Sequence, residues 1–248
     1  MASDLVRIAA IADVHSRATA DPVGPLLAHA ANAADVLVLC GDLTEHGLPE
    51  EASRLVKETL LLRIPIVAVL GNHDCQSGQQ DQVRRILLDG GVHVLDGETW
   101  EVRGVGFGGV KGFCGGFGRH TLEPWGEEVI KRFVQEAVDE MVKLGSALAR
   151  LQTAHRIAVL HYAPIPGTVE GEPAEIYPFL GSSRLEEPLN RYGVTAAYHG
   201  HAHHGQLTGH TQTGVPVYNV SLPLLRRTHP ERPFHLLELP VVGDSPDR

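Results

Sequence analysis

Residues 35–42 read DVLVLCGD. An unbroken apolar run describes a strand covered on both faces, and the glycine and aspartate that follow mark its end. Four more runs of the same build recur along the chain: RIAAIADVH (7–15), IPIVAVLGNHD (64–74), HRIAVLHY (155–162) and VTAAYHGH (194–201). Helical stretches lie between them. The alanine-rich segment 22–34 reads as the first connecting helix. LPEEASRLVKETLLL places Pro49 in a first turn with Glu50 and Glu51 at the positive end of a second, and DQVRRILLDG stops at Gly90. Strands alternating with helices predict an α/β sheet.

The rest of the chain fits around these runs. VHVLDGETWEVRGVGFGG (92–109) reads as a hairpin with its turn at Asp96 and Gly97. A long amphipathic helix is expected over 124–151, with Val129, Phe133, Val134, Met141, Leu148 and Leu151 facing inward. VPVYNVSL and FHLLEL resume as strands before a polar end. No repeat or composition shift divides the 248 residues, so we expect one domain over 1–248, a loop plus long helix insertion at 110–155 and a loose tail at 241–248.

Composition narrows the classes of function. Hydrophobic content of 43%, with mean hydropathy -0.06, is that of a soluble globular chain. A net charge of -9 argues against a basic surface for bulk nucleic acid, while leaving room for a locally positive site. The apolar run near the start is short and broken by Arg7, so neither a signal peptide nor a membrane span is expected. Cys40, Cys75 and Cys114 are an odd set without C-x-x-C spacing, which predicts neither disulfides nor a thiolate zinc site; a cytoplasmic location follows as the default.

What the strand ends carry is more specific. Asp13 and His15 follow the first run, Asp42 the second, Asn72, His73 and Asp74 the third, His161 the fourth, and His201 and His203 the fifth. The i, i+2 pairs are expected to point to one side, as alternate strand residues do. Each cluster alone has an ordinary explanation as a turn, a cap or a structural histidine. Five strands that all deliver metal-type ligands at their carboxyl ends favour one shared site, because open α/β sheets build their crevices there.

The ordered blocks ADVH, CGD, GNHD, LHYAP and GHAH, spanning residues 13–203, resemble the calcineurin-like metallophosphoesterase superfamily. Within it, GDLTEHGLPEEASRLVKETL followed by a strand and GNHD is similar to the branch of bacterial class III cyclic nucleotide phosphodiesterases. The resemblance implies two packed mixed β-sheets flanked by helices, in four layers α/β/β/α. It further implies that Asp13, His15 and His203 hold one metal, that Asn72, His161 and His201 hold a second, and that Asp42 bridges them. His73 would be the proton donor, with Asp74 orienting it. Of the other histidines in VTAAYHGHAHHG, His199 is expected to support the site or to pack, and His204 to face solvent.

Nitrogen and carboxylate ligands without thiolates suit two divalent or trivalent transition ions, Mn, Fe or Zn foremost. Two divalent ions, two aspartates and a hydroxide leave the site near plus one, so an acidic protein could hold a small phosphoester substrate. The implied chemistry is attack of a metal-bound hydroxide on phosphorus with His73 protonating the leaving alkoxide. Two loops are candidates for substrate contact. GGVKGFCGGFGRHTLEP (108–124) is flexible by glycine content and carries Lys111, Arg119 and His120; PIPGTVEGEPAEIYPFLGSSR (164–184) offers Tyr177, Phe179 and Arg184. GVGFGG is a poor dinucleotide fingerprint, since no βαβ unit opens there.

The favoured reading is a phosphodiesterase acting on a cyclic nucleotide or related ester. A phosphomonoesterase of the same fold and a metal-binding scaffold without catalysis are the alternatives. The presence of His73 beside all seven ligand positions weighs against the scaffold. Substrate, metal identity and oligomeric state are not legible in the sequence.

Overall fold

The computed structural model describes residues 5–19 and 22–241. Its strands are β1 (Leu5–Ile11), β2 (Val36–Cys40), β3 (Ile66–Val69), β4 (Val92–Val94), β5 (Thr99–Val102), β6 (Val105–Gly109), β7 (His155–Val159), β8 (Ala196–His199), β9 (Thr208–His210), β10 (Pro216–Asn219) and β11 (His235–Pro240). Its α-helices are α1 (Gly24–Ala33), α2 (Pro49–Thr59), α3 (Gln80–Asp89), α4 (Glu128–Arg150), α5 (Tyr177–Leu180), α6 (Glu186–Arg191) and α7 (Leu222–Thr228). One sheet has the order β11-β1-β2-β3-β4 and the other β5-β6-β7-β8-β10-β9, and both mix parallel with antiparallel pairs.

The unbroken apolar runs are explained by what each face meets. In β1, Ile8 and Ala10 face the core between the sheets while Ala9 and Ile11 face the packing with α1 and α2. Val36, Val38 and Cys40 of β2 likewise turn inward, and Leu37 and Leu39 turn to the helices. On the second sheet Ile157 and Val159 meet the first sheet, whereas Ala158 and Leu160 pack with Leu144 and Leu148 of α4. The result is the four-layer α/β/β/α arrangement. Period-two alternation persists, but both faces are apolar and the polar half of the pattern disappears.

Several local expectations need correction. Residues 92–109 are not one hairpin. β4 pairs parallel with β3 in the first sheet, and only β5 and β6 form a hairpin in the second. Its turn is at Arg103 and Gly104, with φ of 56° and 77°, as a tight turn with two left-handed residues requires. Asp96 and Gly97 instead carry the chain from sheet to sheet. The long helix starts at Glu128, so Val129 in its first turn is 70% exposed rather than inward. Segment 110–155 supplies the outer layer of the second sheet through Val134, Ala137, Leu144, Ala147 and Leu148. The glycines of GVGFGG serve that packing: a Cβ on Gly108 would lie 3.2 Å from the Leu148 side chain. Of the expected loose tail, 241–248, only Val241 is among the described residues. Cys40, Cys75 and Cys114 are unpaired, and no described helix is long and apolar enough to cross a membrane.

Candidate metal centre

Five loops meet at the carboxyl ends of β1, β2, β3, β7 and β8. The strands stop short of the candidate ligands: β1 ends at Ile11 and β8 at His199. Asp13 (φ 58°), His15 (φ 45°), Asp42 (φ 49°) and His201 (φ 68°) take left-handed backbone, which corrects the expectation of simple strand alternation. Among the described non-glycine residues only Arg103 of the hairpin turn shares that conformation. Each such residue costs about 1 kcal/mol or more, and the cost is met by interlocking hydrogen bonds from Asp13 N to Gly41 O and His15 N to Asp42 O, both 3.0 Å. The motif glycine of CGD has a steric reason. Gly41 has φ 83°, and a Cβ there would fall 2.5 Å from Nδ1 of His161.

The turns bring donor atoms of Asp13, His15 and His203 together, and likewise those of Asp42, His161 and His201, each trio within 4.8 Å. Nε2 of His203 is 3.4 Å from Oδ1 of Asp13. Asp42 looks both ways: Oδ1 is 3.4 Å from Nε2 of His161, and Oδ2 is 3.9 Å from Nε2 of His15. Asn72 joins the second trio through Oδ1, 2.8 Å from Nε2 of His161.

Neighbouring carbonyls fix where the imidazole protons sit. Nδ1 of His161 is 3.0 Å from Cys40 O, and a carbonyl can only accept, so Nδ1 carries a proton and Nε2 is the nitrogen turned toward Asn72 and Asp42. In His201 the roles reverse, because Nε2 donates to Phe179 O at 3.1 Å. Burial pushes the His201 imidazole down to about 3, keeping it neutral as a ligand must be. Burial also lowers His15. At Asp13 burial acts upward, yet the hydrogen bond with His203 and the surrounding imidazoles hold the carboxyl below its ordinary value; His203 is raised by the same bond.

Asp13 and Asp42 are each only 2% exposed, and among the described residues no lysine or arginine pairs with either. Two buried carboxylates without a lysine or arginine partner among the described residues call for cations. The N/O donor set without thiolate fits first-row transition ions.

His73 stands beside the cluster with its ring edge-on to His15 at 4.6 Å. Its Nδ1 donates to Glu45 O at 2.7 Å, which leaves Nε2 free. Asp74 does not hold that ring, contrary to expectation. Its buried carboxylate accepts from Thr44 Oγ1 (2.6 Å), Thr44 N (2.8 Å), Gly71 N (2.8 Å) and Leu43 N (3.1 Å), tying the loop of Asp42 to that of Asn72. Burial and the nearby Asp42 push it up to about 6. His199 has no lone pair to offer: Nδ1 donates to Gly200 O (2.7 Å) and Nε2 accepts from Thr168 Oγ1 (2.8 Å). His204 is exposed.

The loop 108–124 is pinned rather than free. Gly112 N donates to Glu140 (2.7 Å), Gly115 N to Pro178 O (2.8 Å) and Gly116 N to Gly181 O (2.9 Å), so its glycines supply backbone geometry. Lys111 Nζ donates to Gly112 O at 2.9 Å and lies over the Phe113 and Tyr162 rings. Arg119 and His120 are exposed and bonded to each other at 3.2 Å. None of these three side chains bonds to the ligand cluster among the described residues. Of the second loop, Phe179 reaches the cluster through its carbonyl, Tyr177 packs with Ala163, Val169, Leu180 and Ala202, and Arg184 pairs with Glu123 at 3.4 Å.

Four residues were missed. Glu45 Oε2 lies 3.5 Å from Nδ1 of His15 and 3.1 Å from Nε of Arg17. Arg227 donates to His203 O at 3.0 Å from α7, and Arg226 lines a cavity with Asp13 and His15. Ser221 ahead of Pro223 is a helix-start signal that could have revealed α7. Nothing local marks Glu45, which the left-handed turn at Asp42 swings back.

These loops and this donor set define a metal-dependent phosphoesterase scaffold. The chain belongs to the calcineurin-like phosphoesterase family, whose model matches residues 6–205. No curated protein matches the sequence. Among solved structures it is similar to the phosphopantetheinyl hydrolase of Mycobacterium tuberculosis, at 17% identity and TM-score 0.65 over 96% of each chain. It is also similar to TT1561 of Thermus thermophilus, at 14% identity and TM-score 0.57 over 96% of this chain and 100% of that one. A putative 5'-nucleotidase from Staphylococcus aureus, at 14% identity and TM-score 0.54, covers 99% of this chain with 56% of its own. At these identities the likeness is one of fold.

Proposed function

We propose that this protein hydrolyses phosphodiesters at a dinuclear centre in which Asp13, His15 and His203 hold one ion, Asn72, His161 and His201 hold the other, and Asp42 spans both. The observation that carries this reading is Asp42 itself, whose two oxygens face imidazoles of opposite trios. Two bound cations supply Lewis-acid polarisation of the phosphoryl group and a lowered pKa for attacking water. The chain supplies the rest.

His73 is the proton donor. With Nδ1 committed to Glu45 O, the proton it can give is on Nε2, and it passes to the leaving oxygen as the P–O bond breaks. Asp74 acts at one remove, holding the loops of Asp42 and Asn72 in register. A diester is favoured because its single negative charge matches a centre near plus one, and the side chains of Lys111, Arg119 and His120 stand apart from the cluster. Cyclic nucleotides are the candidate diesters, since the GDLTEHGLPEE segment is similar to that phosphodiesterase branch.

The test is a metal-reconstituted screen of bis-p-nitrophenyl phosphate, p-nitrophenyl phosphate, and 2',3'- and 3',5'-cyclic nucleotides. Diesters should show the higher kcat/KM. Monoesters turned over at least as efficiently would replace this reading with a phosphatase.

A further inference from the structure

A cavity of about 370 Å³ adjoins the ligand cluster, lined by Asp13, His15, Arg17, Glu45, Pro223 and Arg226 among others. It lies within the usual range of about 300 to 1,000 Å³ for small-molecule sites and holds more than one phosphoryl group. Two arginines, both exposed to solvent, are among its lining residues. Arg17 is paired with Glu45 at 3.1 Å, whereas Arg226 has no hydrogen bond or ion pair with any described residue. Asp13 is engaged with His203, so Arg226 is the one charged group lining the cavity without a partner among the described residues.

The helix that carries it is anchored. Leu222 N donates to Ala12 O at 3.0 Å and Ser221 bridges Ala12, which fastens the start of α7 to the residue before Asp13. Arg227 then clasps His203 O from the same helix. Arg226 is exposed and adds a positive charge beside a centre that gathers cations. An arriving anion offsets that charge, and the guanidinium fork suits phosphate or carboxylate.

We infer that the substrate carries a second anionic group, separate from the reacting phosphorus, which Arg226 binds in this cavity with Arg17 beside it. The inference rests on the phosphoesterase reading and shifts its preferred substrates from simple cyclic mononucleotides, which carry a single phosphate, to phosphoesters with a distal phosphate or carboxylate.

Three diesters with one leaving group test it: phenyl, 4-carboxyphenyl and 4-phosphonophenyl p-nitrophenyl phosphate. The charged esters should exceed the phenyl ester in kcat/KM by about tenfold, chiefly through KM, as one charge-assisted contact allows. Arg226→Ala should erase that preference, and Arg226→Lys should keep part of it. A gain confined to the phosphono ester assigns a phosphate site, and an equal gain assigns any anion. Three equal esters, or an Arg226→Ala loss equal for all three, overturns the inference. A binding arm keeps it separate from catalysis. By calorimetry the metal-loaded protein should bind 1,4-phenylenediphosphonate about tenfold tighter than phenylphosphonate, and Arg226→Ala should equalise the two. If that contrast holds while no ester is turned over, the phosphoesterase reading falls and the anion site stands. Turnover without preference for the charged esters does the reverse.

Discussion

His161, just past the end of β7, and His235, at the start of β11, are both withdrawn from solvent to different degrees, and their surroundings give them opposite roles. His161 is fully buried, anchored by Cys40 O on one nitrogen and aimed by the other at Asn72 and Asp42. His235 stacks on Tyr218 at 4.0 Å, lies near Tyr198, and leaves Nδ1 buried without a hydrogen-bond partner among the described residues. An imidazole becomes a ligand when one nitrogen is fixed by a carbonyl and the other is spared for a cation. It becomes packing when rings cover its faces and no oxygen addresses it. His199 shows a third case, with both nitrogens satisfied by protein.

The largest effect that could break this contrast is at the residue joining the two trios. Asp42→Asn removes a buried charge that faces both, so it should lower kcat by about 10³-fold or more and reduce bound metal, since each ligand group loses a balancing anion. Metal analysis of the purified variant alongside its kinetics is the check. Full activity with two ions per chain would refute the bridge.

His73→Ala comes next. Bound metal should be unchanged, because His73 groups only with His15 and Glu45, outside the two trios that Asp42 joins, and commits Nδ1 to Glu45 O. Esters with poor leaving groups should slow by about 10²- to 10⁴-fold, and p-nitrophenyl esters far less, since their leaving group needs no proton. Equal losses on both would remove His73 from the proton-transfer step, and a lost metal would make it a ligand.

The sequence carried this contrast only in part. The apolar runs were legible because burial on both faces leaves an unambiguous signal, and the ligand positions because five strands end alike. The geometry was not: Asp13, His15, Asp42 and His201 reach the centre through left-handed backbone, which aspartate and histidine adopt more readily than most residues but too seldom for the sequence to mark these four. Asp96 and Gly97 formed a good turn signal that served a crossover, because the pairing of β4 with β3 is a long-range choice. Arg226 and Arg227 escaped notice since α7 has only seven residues, too few for periodicity to show. Asp74 was legible in position but not in role, which depends on four donors from two loops.

The smallest effect concerns His235, on the packing side of the contrast. Burial, with Arg232 and His229 adding to it, pushes its imidazole down to about 4, below the ordinary value of 6.5. As pH falls through the ordinary value, the unfolded chain takes up a proton at this residue that the folded chain refuses. Its contribution is therefore complete at neutral pH, is lost progressively between 6.5 and about 4, and is gone below that window. The full span amounts to about 3 kcal/mol at most, less the share that residual exposure screens. His235→Phe keeps the stack on Tyr218 and removes the titration. In urea denaturation with metal chelated, wild type should therefore lose stability more steeply than His235→Phe from pH 7 to pH 5. The buried histidines of the metal centre titrate in both proteins and cancel in the difference. Parallel curves would mean that His235 is protonated within the fold, and the packing half of the contrast would fail while the ligand half stood.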